Sequence, residues 1–230
     1  MSAASADFVV SDAWRAAYPG AHAGVLVLRD AEPEDDAALD ARARALEQAL
    51  RARFAGQTRS ELKALPTIQR YDAYYRRFKQ GYHVLFQLAS VALEGRGIPP
   101  SLPLVRAMFL AELEHLLLTA GHDLEALALP VRLDVADGQE RYQVLNGQEK
   151  TLKRGDMYMA DGAGVISSIL FGPDQRTRIT PRTRQALFAV YAPAGIAAAE
   201  VAAHLQAVAD TARLAAPRAT VAALEVVGAG

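Results

Sequence analysis

Two dipeptides, Asp137-Gly138 and Asn146-Gly147, stand nine residues apart in this chain. Each suits the positive backbone angles of a tight turn, which a helix or a long strand cannot absorb. Short alternating runs flank them, Val131-Arg132-Leu133-Asp134-Val135 before the first and Tyr142-Gln143-Val144-Leu145 before the second. The spacing predicts antiparallel hairpins over this region. Further strand patterns follow: Asp156 to Asp161, the break Gly162-Ala163-Gly164, and the apolar run Val165 to Phe171 closed by Gly172-Pro173. From Val131 to Tyr191 the chain is therefore a strand-rich unit, and the remainder reads mostly as helix.

Composition bounds what such a chain can be. Its 230 residues are 51% hydrophobic and 22% charged, enough apolar surface for a full core and too much for disorder. With no cysteine there is no disulfide framework and no thiolate chemistry. A net charge of -1 argues against a generally sticky nucleic-acid binder and leaves room only for a local basic patch. No apolar run reaches membrane-spanning length, and Met1 to Ser5 lacks the pattern of a secretory leader, so a cytoplasmic protein is expected.

Phe8-Val9-Val10 and Gly24 to Leu28 read as strands, separated by an amphipathic piece holding Trp14. The acidic segment Ala31 to Asp36 is placed to start a helix that runs to about Phe54, with Leu39, Ala43, Leu46 and Leu50 forming one apolar stripe. The window Ile68 to Lys79 is the most basic and aromatic in the chain. Interleaved Arg and Tyr can grip phosphate and stack on bases, which marks Arg70, Tyr74, Arg76, Arg77 and Lys79 as candidate RNA contacts. Its periodicity favours a plainer arrangement, with Tyr71, Tyr74, Tyr75 and Phe78 packed inward and the arginines solvated.

A buried helix is expected over Val84 to Leu93, and a strongly apolar one from Leu104 to about Ala120 with Gly121 as its stop. The latter carries Glu112 and His115 at the i, i+3 spacing of di-metal bundles, but no second copy of the pattern exists, so no metal is expected. His122 and Asp123 are placed in the loop beyond it, where a His beside a carboxylate can serve acid/base chemistry. His22, His83 and His204 have no supporting constellation, and the standard hydrolase, phosphate-loop and zinc signatures are absent. After a closing strand over Ala186 to Tyr191, an Ala-rich helix from Ile196 to Leu214 is suited either to cover a sheet or to pair with a second copy as a homodimer, and Thr220 to Val227 reads as a last strand.

The ordered series is more specific than any single motif. It comprises an apolar helix ending near Gly121, a strand at Val131, Asp137-Gly138-Gln139-Glu140, Val144-Leu145-Asn146-Gly147 and Leu152-Lys153-Arg154-Gly155-Asp156. It continues with Tyr158-Met159-Ala160-Asp161, a strand to Phe171-Gly172, and Thr177-Arg178-Ile179-Thr180-Pro181-Arg182-Thr183. From about Phe8 to Asp210 this resembles the tRNA-editing domain of the bacterial phenylalanyl-tRNA synthetase beta subunit, in its free-standing form.

The resemblance implies an α+β fold with a mostly antiparallel β core enclosing a pocket and several flanking helices. It implies a single domain over 1–230, with 1–100 as an N-terminal helical and strand portion and 101–215 as the pocket-forming portion. It also implies a trans-acting function, binding tRNA and hydrolysing a wrongly attached aminoacyl ester without cofactor or protein nucleophile, through a positioned water. Leu124 and Ala189 fall near places where the family has a histidine and a glutamate that read the substrate. Candidate pocket residues are Glu112, His115, His122, Ser167, Ser168, Thr180 and Thr183. For Ser167 and Ser168, strand alternation turns one of the pair inward. The alternative function is a non-catalytic binding module for an amino acid, a small metabolite or RNA.

Overall fold

The computed structural model describes residues 7–230, so Met1 to Ser5, where no leader pattern was found, lie outside the described residues. Strand β1 (Phe8–Val10) leads into helix α1 (Asp12–Ala17), which Ser11 caps by accepting the Trp14 amide at 3.0 Å. Strand β2 (His22–Arg29) follows, then α2 (Ala37–Arg53), α3 (Arg59–Lys63), α4 (Pro66–Arg76), α5 (His83–Ala92) and α6 (Pro103–His115). The second half holds β3 (Thr119–Asp123), β4 (Val131–Val135), β5 (Arg141–Gln143), β6 (Glu149–Thr151), β7 (Met157–Asp161), β8 (Gly164–Ser168) and β9 (Gly172–Pro173). It closes with β10 (Ala186–Ala192), α7 (Ala198–Arg213) and β11 (Thr220–Gly228).

The strands form an α+β fold of mostly antiparallel sheets. One sheet has the order β1-β4-β7-β8-β9, a second β11-β2-β10-β3, and β5 and β6 form a separate hairpin. Among the described residues, only β1 and β4 run parallel. The two large sheets face each other through Ser167 on β8 and Tyr191 on β10, whose hydroxyls lie 2.6 Å apart. Helix α7 covers β2 and β11 with Val201, Leu205, Val208, Ala209 and Ala212, all buried. The alanine-rich face is thus a close-packing surface against the protein's own sheet. The main core draws on residues from Phe8 to Ala219, and a smaller separate cluster of Ala136, Tyr142, Val144, Leu152 and Val165 lies around the β5–β6 hairpin.

Several sequence expectations shift in register or partner. Asn146-Gly147 does make the β5–β6 hairpin turn, with Gly147 at φ 79°, a value that glycine adopts without strain. Asp137-Gly138 lies in the β4–β5 connection but does not make it a hairpin, because β4 pairs with β1 and β7 and β5 with β6. The segment 31–36 precedes α2 without regular structure, and the helix begins at Ala37 with Asp36 as its N-cap. The stripe Leu39, Ala43, Leu46 and Leu50 is buried as expected.

The largest shift concerns α6, which ends at His115 rather than near Ala120. Leu116 turns into the left-handed region at φ 62°, and Leu116, Leu117 and Leu118 are all buried. An irregular buried segment must find partners for its backbone away from water. Side chains supply them: Tyr82 donates to Leu116 O at 3.0 Å, Tyr71 Oη accepts from Leu118 N at 3.1 Å, and Glu112 Oε1 accepts from Thr119 N at 2.7 Å. Gly121 consequently lies inside β3, not at a helix end. It is glycine for room, since a Cβ there would sit 2.8 Å from Ile179 Cδ1 and 3.3 Å from both Met108 Sδ and Phe188 Cε1.

Candidate functional site

The aromatic window forms α4, and three of its four aromatic residues, Tyr71, Tyr74 and Tyr75, are buried, with Phe78 packed against the core just beyond. A buried phenol needs a partner, and each finds one in the body of the fold. Tyr71 donates to Tyr191 O at 2.6 Å, Tyr74 to Asp156 Oδ1 at 2.7 Å, and Tyr75 to Ile169 O. Tyr74 is therefore a structural tyrosine rather than a stacking platform. Asp156 is buried, and desolvation lifts its carboxyl to about 7.

The charged members of the window divide into two groups. Arg76 is paired with the buried Asp72 at 3.0 Å, beside Lys63 at 3.5 Å from the same carboxylate, along an open groove that also includes Arg70. Among the described residues, Arg77 and Lys79 have no such partner. The Arg77 guanidinium lies 5.3 Å from the Tyr18 ring and 5.5 Å from those of Tyr74 and Phe78, close enough for cation–π attraction. Its Nη2 approaches to 3.9 Å from where a Cβ on Gly155 would stand.

Beside it, Lys153 donates from Nζ to Phe78 O at 2.7 Å, satisfying a carbonyl just past the α4 C-terminus. The turn from β6 to β7 thereby brings Lys153 to Phe78, whose chain neighbours are Arg77 and Lys79, with Arg154 following Lys153 in the chain. Among the described residues, none of the four has a carboxylate within 4.0 Å. Lys153-Arg154 was the sequence signal for this cluster, and only the long-range contact to Phe78 reveals it.

The seven pocket candidates do not share one space. Glu112 is buried on α6 and holds Thr119 N, and burial raises its carboxyl to about 8. His115, at the end of α6, stacks edge-on against His204 with 5.4 Å between ring centroids, and burial lowers its pKa. His204 Nε2 lies 2.6 Å from Thr119 Oγ1, and burial brings its pKa down to about 3.

His122 sits in β3 rather than in a loop, fully buried, with Nδ1 2.7 Å from Thr177 Oγ1. The Thr177 hydroxyl donates to Asp174, so the imidazole Nδ1–H must donate to Thr177. Burial lowers this imidazole to about 3, which keeps it neutral. Alternation along β3 separates His122 from Asp123, which accepts from the Thr183 hydroxyl at 2.6 Å.

Ser167 and Ser168 are both buried. Ser167 meets Tyr191, while Ser168 accepts from Phe171 N at 3.1 Å and lies 3.4 Å from Tyr142 Oη. Thr180 and Thr183 form a self-bonded turn, Thr180 N to Thr183 Oγ1 at 2.9 Å. These two do face a common space. It is a surface cleft of about 480 Å³ between the 33–36 segment, the start of α6 and the 179–184 loop. Asp35 and Asp36 give one wall, and Leu102, Leu104 and Ile179 give an apolar floor.

Leu124 opens a single 3-10 turn after β3, and Ala189 is fully buried in β10. Among the described residues, no group of three His, Asp or Glu side chains could hold a metal, and no helix is long and apolar enough to cross a membrane.

No protein-family model matches the sequence, and no curated protein does. Among solved structures, an N-terminal fragment of the phenylalanyl-tRNA synthetase beta-subunit from Pyrococcus horikoshii is similar over 95% of this chain and 49% of that chain. The identity is 12% and the TM-score 0.48. The chain thus spans about half the length of that fragment. A likeness this distant does not decide what the chain does, so function rests on the residues themselves.

Proposed function

We propose that the protein binds RNA through Arg77, Lys79, Lys153 and Arg154, and takes an RNA-linked aminoacyl group into the Thr180–Thr183 cleft for hydrolysis by a positioned water. The observation that carries this reading is the group of cations in which two distant segments supply four positive charges with no acidic partner among the described residues, on a chain of net charge -1. Such charges attract phosphates by releasing condensed counterions. The cleft supports the second half: the carboxylates of Asp35 and Asp36 suit an amino group, and Leu102, Leu104 and Ile179 suit an apolar side chain. The ordered motif series seen in the sequence agrees with both.

The test combines binding and chemistry. Affinity for tRNA is measured from 50 to 200 mM salt, and the Arg77→Ala, Lys153→Ala, Arg154→Ala triple variant should show a log–log slope smaller by about 2, at about 0.7–0.9 per phosphate contact. Release of amino acid from a panel of charged tRNAs should be selective and should fall in Thr180→Ala. An unaltered slope removes the RNA assignment.

A second reading is a non-catalytic module for an amino acid. It is favoured by the fact that the strongly perturbed groups Glu112, His122, Asp156 and His204 all lie away from the cleft lining, in the interior. Binding of a free amino acid with no release from any charged tRNA would decide for it.

A further inference from the structure

A second cleft, of about 490 Å³, opens on another face between β5, the start of β8 and the 174–178 segment. The backbone builds it: Gln175 N donates to Gln143 O at 2.9 Å, and isolated bridges join Val144 to Asp174 and Arg178 to His122. Arg141, two residues before Gln143 and therefore on its face of the strand, is thereby brought to the same cleft as Arg178.

The cations there differ in how much of their charge is committed. Arg176 is consumed by structure, donating to Asp161 Oδ1 at 2.8 Å and Ala126 O at 2.9 Å with its Nε 3.7 Å from Asp174. Asp174, the carboxylate in the lining, is engaged as well, since its Oδ1 receives both the amide and the hydroxyl of Thr177. Arg178 is held by a single bond from Nη1 to Gln175 O at 2.9 Å and has no carboxylate partner among the described residues. Arg141 has only a loose contact, 3.7 Å, to the exposed Glu149.

We propose that Arg141 and Arg178 form a phosphate-binding site, with the amides of Gln143 and Gln175 contacting the group the phosphate bears. A guanidinium matches two phosphate oxygens at once, and a cleft of this size accommodates a mononucleotide. The phosphate belongs either to a small phosphorylated metabolite or to a nucleic-acid backbone. The site is separate from the cluster at Arg77 and does not depend on the RNA assignment.

Calorimetric titrations with adenosine 5′-monophosphate, a terminal monoester, and with a dinucleotide carrying only an internal diester distinguish the two sources. At least one should bind, and the Arg141→Ala, Arg178→Ala variant, checked for an unchanged melting temperature, should weaken it about tenfold or more. The Arg77→Ala, Lys153→Ala, Arg154→Ala variant should bind both probes as the wild type does. Preference for the monoester identifies a metabolite site, and preference for the diester a backbone site. No binding of either probe at millimolar concentration, or binding within twofold of wild type in the double variant, overturns the proposal.

Discussion

Glu112→Gln should make the protein less sensitive to rising pH. In the wild type, burial holds the Glu112 carboxyl at about 8 against an ordinary value of 4.5, so it stays protonated in the folded protein at neutral pH while its unfolded counterpart ionises. The sign follows from proton uptake. Between pH 4.5 and 8 the folded state binds more protons, so stability is full below 4.5 and is lost as pH rises through 8. At about 1.4 kcal/mol per pH unit, the interval sets an upper limit near 5 kcal/mol. The amide of Gln has nearly the same shape, keeps an oxygen for Thr119 N and does not titrate, so the variant lacks this loss. Urea unfolding at pH 5, 6, 7 and 8 for both proteins isolates the residue, because the other shifted groups, His122, His204 and Asp156, are common to both. The stability difference should move in favour of the variant by several kcal/mol across that range. Curves that remain parallel from pH 5 to 8 would refute the buried, neutral carboxyl and the role given to it beneath Leu116–Leu118.

Three further substitutions probe packing and hydrogen bonding. Gly121→Ala forces a methyl group toward Ile179 Cδ1 at 2.8 Å, and overpacking of this kind should cost about 1–3 kcal/mol in urea unfolding. Tyr71→Phe leaves Tyr191 O and Leu118 N without their buried partner, with an expected loss of about 1–3 kcal/mol by thermal melting. Thr183→Val removes the hydroxyl that links Thr180 N to Asp123; it should loosen the 180–183 turn, seen as faster amide exchange there, and weaken any ligand held in that cleft.

Local chemistry made part of this fold legible. The Asn146-Gly147 turn, the Leu39-to-Leu50 stripe and the inward tyrosines of α4 are set by neighbours within a few residues, and all appear where the pattern puts them. Partner choice was not legible. Strand β4 takes β1 from 123 positions earlier as a parallel neighbour, and nothing in either run distinguishes that partner from the adjacent β5. Gly121 misled for a related reason: a stop signal and a packing requirement use the same residue. For the site, the hydroxyls and imidazole that looked available are buried and bonded elsewhere, Ser167 to Tyr191, Ser168 to Phe171 N and His122 Nδ1 to Thr177, while His122 Nε2 has no partner among the described residues. The cationic cluster was half visible, as Arg77 and Lys79, and needed Lys153 at Phe78 O to be complete.

Strand β10 relates the two halves of the proposed function. Its first residue follows the 179–184 loop of the acid-walled cleft, while at its far end Tyr191 O receives Tyr71 of α4 and Gly195 packs against Arg70. Seven residues of strand at about 3.3 Å each place the start of β10, beside the cleft, roughly 20 Å from its contact with Tyr71 in the middle of α4. On the proposed reading, a nucleic acid held at Arg77 and Arg154, away from the cleft lining, must send a single-stranded end across the surface for its aminoacyl group to enter the cleft. This separates the readings by a length requirement. On that reading a charged full-length tRNA should span both sites, whereas a charged fragment of a few nucleotides should engage the cleft alone. Hydrolysis that is far faster on the full-length tRNA, and loses that advantage in the Arg77→Ala, Lys153→Ala, Arg154→Ala variant, requires both ends of β10 to act on one ligand. Equal rates on tRNA and fragment would leave the cationic cluster with no part in presenting the ester.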